Sequence, residues 1–221
     1  MMVAVVTCDI IKSRQYNTIE RKKVDELIRQ AFDETNELLP DAQADKLSFS
    51  IIQGDEFQFV LANPGLAYKF VIFYRIILAL KELKPKFRAG IGIGEIAVDG
   101  NNSYQMDGTA FHRSRDAFQK FSKPKFRRRL TTIICGNLDP DAQFDIIAMY
   151  NDFIENQWTD KQKEAIYHRN KEIILLEVSK ILNITRQNVK KRIDNSNWNI
   201  FENGSNFIFS LITVYIKKHP E

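Results

Sequence analysis

The sequence contains few cysteines and histidines, which limits the kinds of site it can build. Two cysteines and three histidines occur among its 221 residues. Cys8 and Cys135 lack the close, paired spacing of a metal site, and they do not form a disulfide framework. Each ends an apolar, strand-like run, where a thiol packs as a small hydrophobic side chain. We therefore expect both cysteines to be buried and reduced.

Long hydrophobic runs are also absent. No segment approaches the roughly 18 uninterrupted apolar residues of a membrane-spanning helix. The apolar N-terminal run stops at Asp9, which is too early for a secretory signal peptide. Apolar residues make up 44% and charged residues 27% of the chain, as in soluble proteins with a hydrophobic core. These features predict a cytoplasmic protein without a membrane partner.

A large excess of charge of one sign is missing too. The formal net charge is +4, and so small an excess does not by itself indicate nucleic-acid binding. The positive charge is instead concentrated in one run, which contains Lys123, Lys125, Arg127, Arg128 and Arg129. Such a run is usually a solvated loop, and a second interpretation is that it contacts nucleic-acid phosphates.

The periodicity of apolar residues divides the chain into two parts. Up to residue 136 it predicts strand, helix, two strands, helix, strand, helix and strand, an α+β arrangement with helices packed on one sheet. Beyond residue 139 the strand pattern disappears. Five helices are predicted there, at 144–154, 160–168, 172–182, 186–193 and 206–218. We therefore predict two domains, an α/β domain at 1–138 and an all-α domain at 139–221.

Residues 158–194 have the pattern of a helix-turn-helix. Ser179 lets two helices cross closely, Asn183 tolerates the left-handed backbone of a tight turn, and Thr185 can cap the next helix. The polar residues of that next helix can reach phosphates and base edges in the major groove. The candidate DNA-binding residues are Thr185, Arg186, Gln187, Asn188, Lys190 and Lys191. The segment resembles sigma-factor region four, which implies a DNA partner; a protein-contact module and a plain helical scaffold stay open.

Two carboxylates are predicted to meet at one edge of the sheet. Asp9 ends the first strand, and Asp55 lies in the hairpin between the second and third strands. Two carboxylates at a common edge bind Mg²⁺, which in turn holds a triphosphate. Positive charge and backbone N–H groups for the phosphates are expected from Ile10, Ile11, Lys12, Arg14 and Arg88. A strand-end cap at Asp9 and ordinary turn chemistry at Asp55 are the alternatives.

Four segments, in this order, resemble the nucleotidyl cyclase superfamily over about residues 2–135. They are Cys8-Asp9-Ile10, Gly54-Asp55-Glu56-Phe57, the glycine-rich run 88–95, and Gly108-Thr109-Ala110-Phe111-His112. The resemblance implies a ferredoxin-like, cyclase-like sheet with Asp9 and Asp55 as metal ligands. It adds Gly54, His112 and Arg115 to the candidate nucleotide-binding residues.

The same segments depart from the cyclase pattern at catalytic positions. His112 stands where cyclases have an asparagine, and Ile51 stands where they have a base-selecting lysine. Their transition-state arginine falls on Asp116, with Arg115 adjacent. Because donors to the developing negative charge are altered, the sequence favours nucleotide and metal binding over catalysis. No catalytic residue is assigned, and a packed histidine is the alternative interpretation of His112.

The whole architecture, cyclase-like domain followed by helix-turn-helix, resembles the SatD family of bacterial proteins. The motifs that carry this resemblance are Thr7-Cys8-Asp9-Ile10-Ile11-Lys12-Ser13-Arg14 and Gly108-Thr109-Ala110-Phe111-His112-Arg113-Ser114-Arg115. The leading hypothesis is a DNA-binding regulatory protein whose cyclase-like domain binds a nucleotide with Mg²⁺. A metal-dependent enzyme acting on nucleoside triphosphates and a degenerate cyclase fold serving only for dimerisation are the alternatives. A homodimer would suit recognition of two DNA half-sites.

Overall fold

The computed structural model describes residues 1–44, 48–53, 55–98, 100, 105–171 and 174–219. Within these residues the chain forms one five-stranded sheet and eight α-helices. The strands are β1 Met2–Ile10, β2 Ser50–Gln53, β3 Glu56–Leu61, β4 Phe87–Glu95 and β5 Thr131–Ile134. The helices are α1 Thr18–Leu38, α2 Ala67–Leu80, α3 Thr109–Gln119, α4 Leu138–Glu155, α5 Asp160–Asn170, α6 Leu175–Ile181, α7 Arg186–Asp194 and α8 Trp198–Lys218. The predicted mixture of α and β structure is confirmed.

The sheet has the strand order β2-β3-β1-β4-β5. Its β4–β5 pair is parallel, and the other neighbouring pairs are antiparallel. With α1 following β1 and α2 following β3, the first four strands form the split βαββαβ arrangement of ferredoxin-like sheets. The register places Asp9 opposite both Glu56 on β3 and Arg88 on β4. Directly opposite side chains point to the same face, so these three polar groups lie together.

The two faces of the sheet are covered differently. On one face, α1 and α2 bury a cluster of aromatic rings that includes Phe32, Phe57 and Tyr74. On the other face, α3 lies directly on the glycines of β4. A Cβ atom at Gly92 would stand 2.2 Å from the Ala110 carbonyl oxygen, so this close approach requires glycine. The backbone of α3 is therefore in direct contact with the backbone of β4.

The C-terminal helices pack against the sheet domain. A buried ion pair joins Arg75 of α2 to Glu155 of α4, with both N–O distances at 2.7 Å. Trp198 of α8 packs on Phe73 of α2, with their ring centroids 5.9 Å apart. One hydrophobic cluster thus continues across residue 138. The predicted division of the chain there stays a prediction.

Two helices are longer than their apolar periodicity predicts. The structure begins α4 at Leu138 rather than at residue 144, because Asn137 caps the helix and Pro140 is tolerated in its first turn. It begins α8 at Trp198 rather than at residue 206, although asparagines and Gly204 lower the intrinsic helix propensity there. Within the described residues, no helix combines the length and apolarity needed to cross a bilayer.

Candidate functional site

Asp9 and Asp55 meet at the edge of the sheet, as the sequence predicts. The Ile10 backbone N–H donates to the Asp55 carbonyl oxygen at 3.0 Å, which fixes the β2–β3 hairpin beside the end of β1. The Ser13 hydroxyl donates to the Asp55 carboxylate. Ser13 reaches it because the chain turns at Lys12, whose backbone is left-handed (φ 59°). The Arg88 guanidinium donates to Asp9 at 2.7 Å.

The two carboxylates have pKa values shifted in opposite directions. Burial raises the pKa of Asp9, and the charge of Asp55 raises it further, against the hydrogen bond from Arg88. Burial also tends to raise the pKa of Asp55, but the Ser13 hydrogen bond and the hairpin backbone outweigh it, so the pKa is lowered. Burial raises the pKa of the neighbouring Glu56, although Arg115 opposes this. Negative charge therefore accumulates at this edge, which favours a cation.

A cleft of about 910 Å³ opens beside the carboxylate pair. One wall is the end of the sheet, where Asp9, Asp55 and Arg88 lie together with the chain that follows β1, including Lys12 and Arg14. The opposite wall comes from the segment before β5 and from α4. The lining residues of that wall are Lys125, Arg127, Arg128, Arg129, Leu130, Met149, Asp152, Phe153 and Asn156. The cleft therefore joins residues that are more than 100 positions apart in the sequence.

We call Lys125, Arg127 and Arg128 the basic wall. The segment is anchored on both sides: Phe126 is buried, and Arg129 donates to Asp152 at 2.9 Å in a buried ion pair. The three remaining cations of the segment are exposed and line the cleft. Sequence reasoning interpreted this run as a solvated loop or a nucleic-acid contact. Its place opposite Asp9 and Asp55 follows from tertiary packing, which periodicity does not encode.

Asp152 is a further cleft residue that sequence reasoning missed. One carboxylate oxygen accepts from Arg129 and from the Leu130 backbone N–H at 2.9 Å each. Burial raises its pKa to about 6, despite the nearby Arg75. The available signal was an aspartate near the end of the apolar pattern 144–154, because an acid at a buried position of α4 requires a partner.

The prediction that backbone N–H groups after Asp9 bind phosphate is wrong for Ile10 and Ile11. The Ile10 N–H is already bonded to Asp55, and the Ile11 N–H donates to the Lys86 carbonyl oxygen at 2.7 Å. The N-terminus of α1 is likewise closed, because Asn17 and Glu20 form a capping box. Ile10, Ile11, Lys12 and Arg14 all line the cleft, and the Lys12 and Arg14 side chains can donate to a phosphate there.

Two predicted nucleotide-binding residues, His112 and Arg115, do not line the cleft. Gly54 lies outside the described residues. His112 is exposed in the first turn of α3, 3.5 Å from Asp107, over the end of β4 that lies away from Arg88. Arg115 is exposed on the same helix, near enough to Glu56 to oppose the burial that raises the pKa of that residue. The structure therefore separates His112 from the carboxylate pair and keeps Arg115 at its border.

The six candidate DNA-binding residues lie in α7 and at its N-cap. Asn183 has the left-handed backbone expected of a tight turn (φ 50°) between α6 and α7. The Thr185 hydroxyl caps α7 by accepting from the Asn188 backbone N–H at 3.2 Å. Val178 and Val189 are buried between the helices. Thr185, Arg186, Gln187, Asn188, Lys190 and Lys191 are all exposed.

Comparisons with known proteins identify the family of the chain. Residues 2–212 match the SatD family. No curated protein matches the chain. Among solved structures, the chain is similar to a bacterial light-regulated adenylyl cyclase, at 12% sequence identity and a TM-score of 0.40, over 60% of this chain and 74% of that chain. Because the family match covers nearly the whole sequence, the chain belongs to the SatD family.

Proposed function

We propose that this protein is a DNA-binding regulator whose cleft binds a nucleotide together with Mg²⁺. The observation that carries the nucleotide part is the pairing of Asp9 and Asp55 with the basic wall across a single cleft. Carboxylates alone would hold a cation, and arginines alone would hold an anion. A metal-bound polyphosphate presents both charges at once and suits both walls.

The donor set suits Mg²⁺ when phosphate completes it. Mg²⁺ is usually bound through one or two carboxylates, with substrate phosphates and waters supplying the other oxygens. Among the described residues there is no group of three side chains of the kind that encloses a metal. Asp9 and Asp55 would hold the ion. The positive charge of the ion would offset the burial of Asp9 and the negative charge of Asp55, which together raise the pKa of Asp9.

Arg88 supports an anionic ligand on the sheet side. One of its terminal nitrogens donates to Asp9, and its guanidinium lies over the Phe121 ring at 5.2 Å. Its Nε is buried, and within the described structure it has no hydrogen-bond partner. A buried donor without an acceptor is costly, and a phosphate oxygen in the cleft would satisfy it.

A thermal-shift panel of nucleoside mono-, di- and triphosphates, each with and without Mg²⁺, tests this site. We expect stabilisation that requires the metal and disappears in Asp55→Asn. Asp41→Asn, at an exposed aspartate outside the cleft, is the matched control and should keep the shift. Replacing Arg127 and Arg128 by serine should weaken binding about tenfold, as expected for charged hydrogen bonds. The absence of a shift with every nucleotide would refute the nucleotide site.

DNA binding is proposed for the exposed face of α7. The turn at Asn183 and the cap at Thr185 support it, because they direct the first residues of α7 away from the protein. Base-reading helices in helix-turn-helix proteins contact DNA with their N-terminal residues. Selection of bound duplexes from a random DNA pool tests the proposal, and recovery of no enriched sequence would count against base-specific recognition.

A continuous packing route connects the two proposed sites. Met149, Asp152 and Phe153 of α4 line the cleft, and α5 follows α4 directly. Glu164 of α5 pairs with Arg192 of α7 at 3.4 Å. For nucleotide to regulate DNA affinity, it must bind two arrangements of these helices unequally. Measuring DNA affinity with and without nucleotide and Mg²⁺ determines that coupling.

A further inference from the structure

Two adjacent helices leave a broad apolar surface uncovered. On α4, Ile146, Tyr150 and Phe153 are 56%, 62% and 68% exposed. On α8, Ile200, Phe207 and Val214 are 57%, 49% and 48% exposed. We call these six side chains the α4–α8 face. Their spacing of four and three residues on α4, and of seven on α8, places each set along one side of its helix.

The two helices run antiparallel, so their exposed stripes lie side by side. The Asn151 amide of α4 donates to the Phe201 carbonyl oxygen of α8 at 3.2 Å, which joins the end of α4 to the start of α8. At the opposite end, Gln143 and Leu211 line the same small pocket. Gly204 allows the close crossing, because a Cβ atom there would be 2.7 Å from the Asn151 side-chain oxygen.

Charged residues are few on this face and lie at its ends. Of the 21 residues of α8, the charged ones are Glu202, Lys217 and Lys218, which lie beside or beyond the apolar stripe. Of the five acids of α4, Asp145 pairs with Lys120, Asp141 accepts from the Cys135 backbone N–H at 2.7 Å, and Asp152 and Glu155 are buried. The fifth, Asp139, is exposed in the first turn, seven residues before Ile146. Depletion of charge combined with aromatic residues is the compositional mark of an interface core.

The surface is large enough for a stable interface. With about 150–250 Å² for each large side chain, the exposed fractions of these six correspond to roughly 600 Å². A standard interface buries about 800 Å² per partner, so the six side chains supply most of that area before their neighbours are added. Single exposed apolar residues are common on proteins, but an apolar patch of this size marks a contact surface.

The chemistry of the helices selects a protein partner over a lipid surface. Helices that lie on membranes carry lysine and arginine beside their apolar stripe. The first turns of α4 carry Asp139 and Asp141 instead, which anionic lipid would repel. An antiparallel helix pair can pack on its own copy about a twofold axis, because each stripe then meets an equivalent stripe and a four-helix arrangement forms.

We infer that the α4–α8 face is a homodimer interface occupied by a second copy of this chain. The face is continuous with the cleft, because Met149 and Phe153 lie on α4 and also line the cleft. The second copy therefore stands at the rim of the basic wall and narrows the cleft entrance. This last consequence rests on the proposed nucleotide site, whereas the interface itself does not.

Sedimentation velocity of the full chain without nucleotide tests the interface separately from ligand binding. The wild-type protein should sediment as a dimer. Tyr150→Asp combined with Phe153→Asp should raise the dissociation constant roughly 30-fold or more, because both rings would be central anchors. Ile19→Asp is the matched control: this residue is 81% exposed on α1, outside the face, and the dimer should persist. Unchanged far-ultraviolet circular dichroism verifies the fold of each variant.

Crosslinking provides a second readout that does not depend on the charged variants. Cys8 and Cys135 are buried, so Ile146→Cys creates an exposed thiol on the face. A short bis-maleimide should join two copies of that variant, and it should not join two copies of Ile19→Cys. A wild-type protein that stays monomeric at about 100 µM, far above the dissociation constants of standard interfaces, overturns the inference. A Tyr150→Asp, Phe153→Asp variant that remains dimeric overturns it as well. A wild-type protein that is monomeric in solution and binds phosphatidylglycerol vesicles would also overturn it.

Discussion

The cleft and the α6–α7 segment are both rich in charged side chains, but they are held in different ways. Around the cleft, buried ion pairs join residues far apart in the sequence, such as Arg75 with Glu155 and Arg129 with Asp152. Around α7 the ion pairs are at least partly exposed: Lys190 and Asp194 are both more than half exposed, and Arg192 and Glu164 are 22% and 43% exposed. The cleft walls therefore depend on the whole fold, whereas the α7 face depends on a turn and a cap.

This difference predicts which mutations affect ligand binding without affecting the stability of the fold. A buried charge that loses its partner is expensive, because its desolvation is no longer compensated. An exposed charge is solvated in either case, so its loss affects a ligand more than the fold. Substitutions of the buried charges around the cleft should therefore change stability and binding together, and substitutions of the exposed charges on α7 should change binding alone.

The largest effect is expected for Arg75→Met. This change leaves Glu155 buried without its partner and removes a donor to Thr131 Oγ1 at 3.0 Å. We expect a loss of about 3–5 kcal/mol in the free energy of unfolding, as for other broken buried pairs. Urea denaturation followed by circular dichroism measures it. Arg192→Met, which breaks the half-exposed pair with Glu164, is the control and should cost about 0–1 kcal/mol. Equal losses in the two variants would contradict the comparison.

An intermediate effect is expected in the pH dependence of stability. The pKa of Asp152 is raised to about 6 by burial, above the 3.8 of an ordinary aspartate. The folded state therefore holds the proton more tightly, and this contribution to stability is complete below pH 3.8 and lost as the pH rises through about 6.

Asp152→Asn tests this dependence, since the amide retains an oxygen acceptor for Arg129 and Leu130. Denaturation at a series of pH values should show the wild-type free energy of unfolding falling relative to that of the variant between about pH 4 and pH 6. Parallel curves for the two proteins would assign the pH dependence to other groups.

The smallest effect on stability is expected for Arg186→Ala combined with Lys190→Ala. This double substitution should weaken DNA binding selectively. Both side chains are exposed, so the melting temperature should stay within about a degree or two. Affinity for selected DNA should fall several-fold, and the salt dependence of binding should become shallower because fewer counterions are released. Fluorescence anisotropy at several salt concentrations measures both. Lys22→Ala combined with Lys23→Ala on α1 is the control, and an equal loss there would remove the assignment to α7.

The sequence predicts the parts of the site that depend on local pattern. Alternation and turn residues are sufficient to predict β1 and the β2–β3 hairpin, and with them the meeting of Asp9 and Asp55. Glu56 could have been added by the same reasoning, because strand alternation places it beside Asp9 on one face. Thr185 was also predictable as a helix cap, since threonine before a polar helical run is a common N-cap.

The remainder of the site depends on contacts that no local pattern records. The basic wall reaches the cleft because Arg129, which lies over the Phe126 ring, pairs with Asp152 of α4, a contact across more than 20 residues. The early starts of α4 and α8 were missed because proline, glycine and asparagine lower helix propensity, while tertiary packing stabilises both segments. Through the same packing, one hydrophobic cluster contains residues from both sides of the predicted domain boundary at residue 138.

The packing of Trp158 against Trp198 has a practical consequence for spectroscopy. These are the two tryptophans of the chain, and their ring centroids lie 5.8 Å apart at the junction of α4, α5 and α8. Trp158 also donates its indole N–H to the Ser196 carbonyl oxygen at 2.8 Å. Intrinsic tryptophan emission therefore reports on this junction rather than on the sheet. Because the junction lies between the cleft and α7, a change in the emission would report a movement of the cleft relative to α7.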